Sequence, residues 1–266
     1  KLLKALGVKR IKKLYCKPDG KFPHNPEPLP ENITEISKVV KKGGYDLGIV
    51  VDPDVDRLVL VMENGKPFGE EYTLIAVADY FMKHRPGNTV SNLSSTRALR
   101  DITEKAGCNY APAAVGEVNV VSKMKEVQAV IGGEGNGGII VPDFHFGRDA
   151  MIGIALFLSH LARSKKKISK LKKSYPQYFI NKNKIELTPA IDVDHALKGV
   201  QAKYHREKVD LTDGVRIDFE KEREWVHLRK SNTEPIVRII AEAKTEERAA
   251  ELANQLILDM KVIVKG

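Results

Sequence analysis

Two short apolar runs rich in β-branched residues, Asp46–Val51 and Leu58–Met62, flank the stretch Asp52-Pro-Asp-Val-Asp-Arg57, which puts a carboxylate at every second position. Runs of that length and composition suit buried strands, and Asn64-Gly65 after the second marks a tight turn. The acidic loop therefore sits at the end of a strand. A tight loop turns alternate side chains inward, so Asp52, Asp54 and Asp56 can converge on one hard cation, and oxygen ligands select magnesium or calcium. An EF-hand calcium loop is the nearest confounder, since Glu63 falls at the distance of its last ligand. It fails because Arg57 stands where that loop needs glycine, and because Leu58–Met62 is strand-like where a helix should begin. An acidic turn that holds no metal is the plain alternative. Arg57 beside three acids would help hold a phosphate near the cation, a combination that serves phosphoryl transfer.

The chain around this loop, 266 residues in all, is long enough for two or three domains. It opens on the end of a helix closed by Gly7, with a strand expected at Arg10–Cys16, a Pro-rich connection, and a helix at about Glu31–Lys42 that stops at Gly43-Gly44. From Glu70 helices and strands alternate: helices to Tyr80, at Thr96–Ala106, at Val118–Lys125 and at Arg148–Ala162, and strands at Thr89–Leu93, near Tyr110 and at Val127–Ile131. That alternation is an α/β pattern. Beyond Lys184 the pattern changes to strands at Val215–Phe219, Trp225–Arg229 and Val237–Ala243 followed by one helix, as in an α+β domain. The last helix is well specified, with Thr245 as N-cap, Glu246 and Glu247 in the first turn, and Ala249, Leu252, Ala253, Leu256 and Met260 on one apolar stripe. The expected fold is thus α/β, with mixed-sheet α/β domains at 1–68 and 69–175 and a C-terminal α+β domain at 176–266.

Apolar content of 42% and charged content of 30% are those of a globular protein, and no apolar run is long enough to span a bilayer, so no membrane role is expected. Cys16 and Cys108 suggest neither a disulfide framework nor a zinc site, and the cytosol is the expected home. The net charge of +9 suits an anionic partner. Much of it lies between Arg163 and Lys184, where Tyr175, Tyr178 and Phe179 interleave with cations. That is a weak footprint of a nucleic-acid surface. A solvated helix and linker explains it more simply, and attraction of small phosphate esters explains the charge, so no nucleic-acid partner is expected.

Two further loops carry chemistry. Gly132-Gly-Glu134-Gly-Asn136-Gly-Gly138 lets backbone approach a ligand closely and offers two polar side chains for sugar hydroxyls, although glycine-rich turns between strands are common. In Leu228-Arg-Lys-Ser-Asn-Thr-Glu-Pro235, with Arg238 following, a guanidinium, two hydroxyls, an amide and free backbone N–H groups make a cradle for a phosphate dianion.

In this order the three loops resemble those of the α-D-phosphohexomutases, which carry a D-x-D-x-D-R metal loop, a G-E-x-[SN]-G sugar loop and an R-x-S-N-T-E-P-x-x-R phosphate loop in the last three of four domains. The likeness extends to Asn25–Pro28 and to the Phe-Gly-Arg-Asp run at Phe146–Asp149. It implies a partial second domain, a complete third and a C-terminal fourth. It further implies that Asp52, Asp54 and Asp56 bind Mg2+, that Glu134 and Asn136 meet sugar hydroxyls, and that Arg229, Ser231, Asn232, Thr233 and Arg238 grip the non-reacting phosphate of a phosphosugar. Arg57 and Glu117 are its catalytic candidates; Glu117 stands where some members carry a His or Asp for proton transfer, and a capping or salt-bridging Glu is the alternative. The family reaction moves a phosphoryl group between C1 and C6 oxygens of a hexose through a phosphoserine and a hexose bisphosphate.

The family's serine loop, T-x-S-H-N-P, does not occur: His24-Asn25-Pro26 supplies its last letters, with Pro23 where the nucleophile stands. The chain is therefore expected to be a C-terminal piece, inactive alone. A non-catalytic phosphosugar-binding protein is the alternative. Asn136 for the commoner Ser, and Gly138 where some subfamilies have His, leave the sugar open.

Overall fold

The structure, a computed structural model, describes residues 1–186, 192–231 and 234–265. They fall into two compact units, Lys1–Pro112 with Gly116–Pro176, and Ala113–Val115 with Gln177–Gly266.

The first unit begins with one helical turn, α1 (Leu2–Ala5), which runs into Gly7 at φ +80°. The strand expected at Arg10–Cys16 does not form. A strand needs a ladder partner, and none of the described strands pairs there; Arg10 instead donates to the Gly43 carbonyl at 2.8 Å and stacks on Tyr45. Helix α2 (Thr34–Gly43) starts three residues later than its sequence suggests and ends on Gly44 in the left-handed conformation. It covers the antiparallel pair β1 (Leu47–Val51) and β2 (Leu58–Met62) through Ile33 and Val40, which pack with Val59 and Val61. Because Val51 faces Leu58 in register, the acidic loop is the hairpin's own connection.

Helix α3 (Glu70–His84) leads into β3 (Thr89–Asn92), α4 (Ala98–Lys105), β4 (Tyr110–Ala113) and α5 (Glu117–Glu126). A hairpin, β5 (Ile131–Glu134) with β6 (Gly138–Ile140), precedes α6 (Ala150–Ser164) and α7 (Ile168–Lys172). The sheet order is β4-β3-β5-β6, with β3 and β5 parallel and β5 and β6 antiparallel. The strand expected at Val127–Ile131 thus begins where it was expected to end. Its place is taken by the exit turn of α5, where Gln128 adopts φ +52° and Ala129 donates to the Met124 carbonyl. The first half of the glycine-rich run is strand rather than loop.

The second unit is a five-stranded antiparallel sheet ordered β7-β11-β10-β9-β8, from β7 (Phe179–Glu186), β8 (Lys208–Asp210), β9 (Val215–Phe219), β10 (Glu224–Lys230) and β11 (Ile236–Ala243). One face packs Val215, Ile217, Val226, Leu228, Val237, Ile239 and Ala241 against α8 (Val193–Lys203) and α9 (Glu246–Lys265). Thr245 caps α9 by accepting the Arg248 N–H at 3.1 Å, and the stripe Ala249, Leu252, Ala253, Leu256, Met260 is buried as its spacing requires. Neither α8 nor β7 is marked by a separate signal in the sequence. The basic stretch, read as solvated helix and linker, is divided between the end of α6, the turn α7 that buries Ile168 and Leu171, and β7, which pairs along its length with β11.

Candidate functional site

The acidic loop is shaped by its own first carboxylate. Asp52, buried at the end of β1, accepts the backbone N–H groups of Asp56 (3.1 Å) and Arg57 (3.0 Å) on Oδ1, closing the loop on itself. Closure forces Val55 to φ +61°, a left-handed conformation that a β-branched side chain rarely adopts. The result is that Asp52, Asp54 and Asp56 bring one oxygen each within 4.8 Å of one another. Burial raises the cost of charging Asp52, but the N–H of Arg57, the Asp56 carboxyl and the Arg57 charge outweigh it and hold its pKa below the usual carboxylate value. Burial and the Asp52 carboxyl push Asp56 the other way, up to about 6, against the pull of Arg148.

This donor set fits a hard dication. All three ligands are carboxylate oxygens, they already converge, and Oδ1 of Asp56 is buried without a hydrogen-bond partner. Arg57 leaves the loop with its Nε 3.3 Å from Asp52 Oδ2 and 3.8 Å from Asp56 Oδ1, and its Nη1 reaches Glu27, in the Asn25–Pro28 stretch, at 3.5 Å.

The glycine-rich loop joins the acidic loop through backbone and side chain. The Leu58 N–H donates to the Gly137 carbonyl at 3.0 Å, and Arg57 bridges Gly138 in antiparallel fashion. Gly137 sits at φ +88° with its missing Cβ pointing at the Leu58 carbonyl, 2.5 Å away, so that only glycine permits the approach. Glu134 is buried at the end of β5 and both its oxygens are engaged: Oε1 accepts Asn92 Nδ2 (2.8 Å) and the Gly116 N–H (3.1 Å), and Oε2 accepts Arg148 Nη1 (2.9 Å). Asn136 turns Oδ1 back onto the Gly138 N–H at 3.1 Å. Glu71 supports the loop from below, accepting the Thr96 N–H at 2.9 Å with its carboxylate packed against Gly135.

Arg148 joins all of this and was missed as a site residue. It precedes the N-cap of α6, where Asp149 accepts the N–H groups of Met151 (2.7 Å) and Ile152 (3.1 Å) and the Ala150 N–H donates to the Val55 carbonyl (3.1 Å). From there its guanidinium meets Asp56 through Nη2, Glu117 through Nε (2.8 Å) and Glu134 through Nη1 (2.9 Å). Burial opposes its charge, yet Asp56, Glu134 and Glu117 hold its pKa above the ordinary arginine value. Glu117, the first residue of α5, is therefore a salt-bridging Glu in this arrangement. The only sequence signal was the Phe-Gly-Arg-Asp run before a helix.

In the second unit Arg229 on β10 and Arg238 on β11 are direct cross-strand partners. Like charges in that position repel, and an acid attends each: Asp213 Oδ2 lies 3.1 Å from Arg229 Nε, and Glu234 accepts from Arg238 Nη2 at 2.7 Å. The Ser231 N–H closes the turn onto the Ile236 carbonyl at 2.9 Å. Asn232 and Thr233 lie outside the described residues. Two arginines at one register position could together receive an anion. Asp213, which no motif flagged, also accepts the Val115 N–H at 3.0 Å, and its carbonyl accepts the Nε2–H of buried His227.

Comparison with known proteins shows the family. Residues 1–65, 69–179 and 184–258 match, in turn, the sequence models for phosphoglucomutase/phosphomannomutase alpha/beta/alpha domain II, alpha/beta/alpha domain III and the C-terminal domain. The chain belongs to the phosphohexomutase family. Among phosphohexomutases, it is 36% identical over 267 aligned residues to the phosphoglucomutase/phosphomannomutase of Thermococcus kodakarensis, covering all of this chain and 58% of that one. To the phosphoglucosamine/phosphogalactosamine mutase of Sulfurisphaera tokodaii it is 31% identical over 249 residues, covering 91% of this chain and 53% of that protein. The crystal structure of a phosphoglucomutase/phosphomannomutase family protein from Burkholderia thailandensis superposes with a TM-score of 0.81 at 26% identity, over 93% of this chain and 54% of that one. The chain thus spans a little over half the length of the phosphohexomutases it matches. Among the described residues no helix is long and apolar enough to cross a membrane.

Proposed function

We propose that this chain carries the cation, sugar and distal-phosphate subsites of an enzyme that interconverts hexose 1-phosphate and hexose 6-phosphate through a hexose bisphosphate, with the phosphoryl-donating serine supplied by sequence outside these residues. The observation that carries the reading is the joining of the acidic and glycine-rich loops, far apart in sequence, by one arginine and a backbone bridge. Asp52, Asp54 and Asp56 would hold Mg2+, which when bound would neutralise charge on a transferring phosphoryl group. Arg57, flanked by Asp52 and Asp56, would steady a phosphate oxygen, and Glu117 would orient Arg148. Backbone and Asn136 around the glycine-rich loop would meet sugar hydroxyls. Glu134 would act there by fixing the loop, because its oxygens are already engaged. Arg229 and Arg238, with Ser231, Asn232 and Thr233, would hold the phosphate that does not react. The three loops come from segments 1–68, 69–175 and 176–266, and a substrate that must be bound in two orientations is well served by separate segments.

The test joins the chain to the N-terminal half of a phosphohexomutase that it matches, and assays glucose 1-phosphate, mannose 1-phosphate and glucosamine 6-phosphate with magnesium present. Turnover of at least one is expected, and lost when Asp54 is replaced by Ala. No turnover of any hexose phosphate would overturn the reading.

A further inference from the structure

One guanidinium serves carboxylates from three separate segments, and it is fixed from two sides. The α6 cap and the Ala150–Val55 hydrogen bond fix where its backbone starts. Its stem then passes over Gly138, where an added Cβ would lie 2.3 Å from Arg148 Cδ, so the glycine-rich loop leaves a channel for it. Its head ends on Asp56, Glu117 and Glu134 and is mostly buried, at 17% exposure. Counting formal charges, Glu27, Asp52, Asp54, Asp56, Glu117 and Glu134 cluster around Arg57 and Arg148: six negative groups against two positive. Arg148 is thus a large part of what keeps the acidic loop from repelling itself.

A cation gathered by the same loop would share Asp56 with that guanidinium. Oδ2 of Asp56 is taken by Arg148, while Oδ1 makes no hydrogen bond and has Arg57 Nε 3.8 Å away. Two positive centres on one half-buried carboxylate repel more strongly than they would in open water. Orientation works in the opposite sense, since Arg148 also steadies Asp56. Charge outweighs it, because Asp56 is already held at its backbone by the Asp52 hydrogen bonds.

We propose that Arg148 is a built-in counter-ion of the acidic loop, competing with a divalent cation for Asp56 and so lowering the loop's cation affinity. The proposal rests on Asp52, Asp54 and Asp56 being cation ligands. It makes the loop foldable without metal and keeps metal exchange easy.

The probe is Mn2+ alone, titrated into the 266-residue chain and followed by electron paramagnetic resonance of the free ion and by calorimetry, for wild type, Arg148→Lys, Arg148→Met and Asp54→Ala. Arg148→Met is expected to bind Mn2+ about tenfold more tightly than wild type, and Arg148→Lys, which keeps the charge, about as wild type does. In chelator Arg148→Met should melt below wild type and gain more on adding Mn2+. Equal or weaker binding by folded Arg148→Met overturns the proposal. Should that variant not fold, the wild-type chain still decides it: the side-chain NMR signals of Arg148 should move on Mg2+ titration, and signals that stay fixed while Mg2+ binds overturn the competition. If wild type takes up no more Mn2+ than Asp54→Ala, the assignment of the acidic loop as a cation site has failed, and this proposal falls with it.

Discussion

Asp213 holds Arg229 by its Nε, 3.1 Å away, and with the same oxygen accepts the N–H of Val115 at 3.0 Å. That ion pair engages the guanidinium through Nε, and Arg238 is the cross-strand partner of Arg229. Removing the carboxylate leaves a mostly buried cation and a backbone N–H without their acceptor. Asp213→Ala should therefore cost about 2 kcal/mol, read by urea denaturation through Trp225, the single tryptophan, which lies on the same strand as Arg229. In the Asp213→Ala/Arg229→Ala pair the losses should be less than additive; strict additivity would show the two residues to be independent. On the proposed function, and with the chain joined to the N-terminal half of a phosphohexomutase, Arg229→Ala should raise KM for a hexose phosphate far more than it lowers kcat. Unchanged kinetics would remove this loop from the substrate site.

His227 supplies a pH dependence of known sign. Burial pushes its imidazole down to about 4, against the hydrogen bond to the Asp213 carbonyl. The unfolded chain takes up the proton near the ordinary value of about 6.5, so stability is lost as pH falls from there towards 4. This one group can contribute at most about 3 kcal/mol of that loss. Unfolding of the second unit, followed by Trp225 fluorescence at pH 7 and pH 4.5, should show a smaller difference for His227→Gln than for wild type. Parallel curves would assign the acid sensitivity elsewhere.

Gly135 tests how tightly the glycine-rich loop is supported. A methyl group there would sit 2.1 Å from the Glu71 carboxylate oxygens, which also receive the Thr96 N–H. Gly135→Ala should destabilise by about 1–3 kcal/mol through overpacking. A melting temperature within a degree of wild type would mean that Glu71 can swing aside freely.

Val55 tests the strain in the acidic loop. At φ +61° asparagine is better tolerated than a β-branched residue. Val55→Asn should raise stability by about 1 kcal/mol. A loss of stability would show that the side chain's packing matters more than its backbone.

Much of this was legible in the sequence, and the parts that were not share a physical cause. The acidic loop and its strands could be read because β1 and β2 are short, apolar and bounded by charged or turn residues. The final helix could be read because its stripe and cap are local. Arg10–Cys16 looked like a strand by composition, but strands exist only with partners, and partnership is not local. Gly132–Glu134 looked like a loop because glycine has poor strand propensity, yet β3 and β6 supply ladders on both sides. Arg148, Asp213, Asn92 and Glu71 went unnoticed for the same reason. Each acts on residues many positions away, and only the fold brings those partners together.

The division of the family into domains II and III falls in this chain between residues 65 and 69. Hydrogen bonds ignore that boundary: Leu58 is tied to Gly137, and the missing Cβ of Gly153 on α6 faces the Leu58 side chain at 3.1 Å. A protease cut in the turn near Gly65 should therefore leave two pieces that remain associated and melt together. Expressed separately and mixed, they should reassemble like the halves of a split reporter. Modularity in the family's sequence would then conceal a single cooperative unit spanning both of its first two modules here.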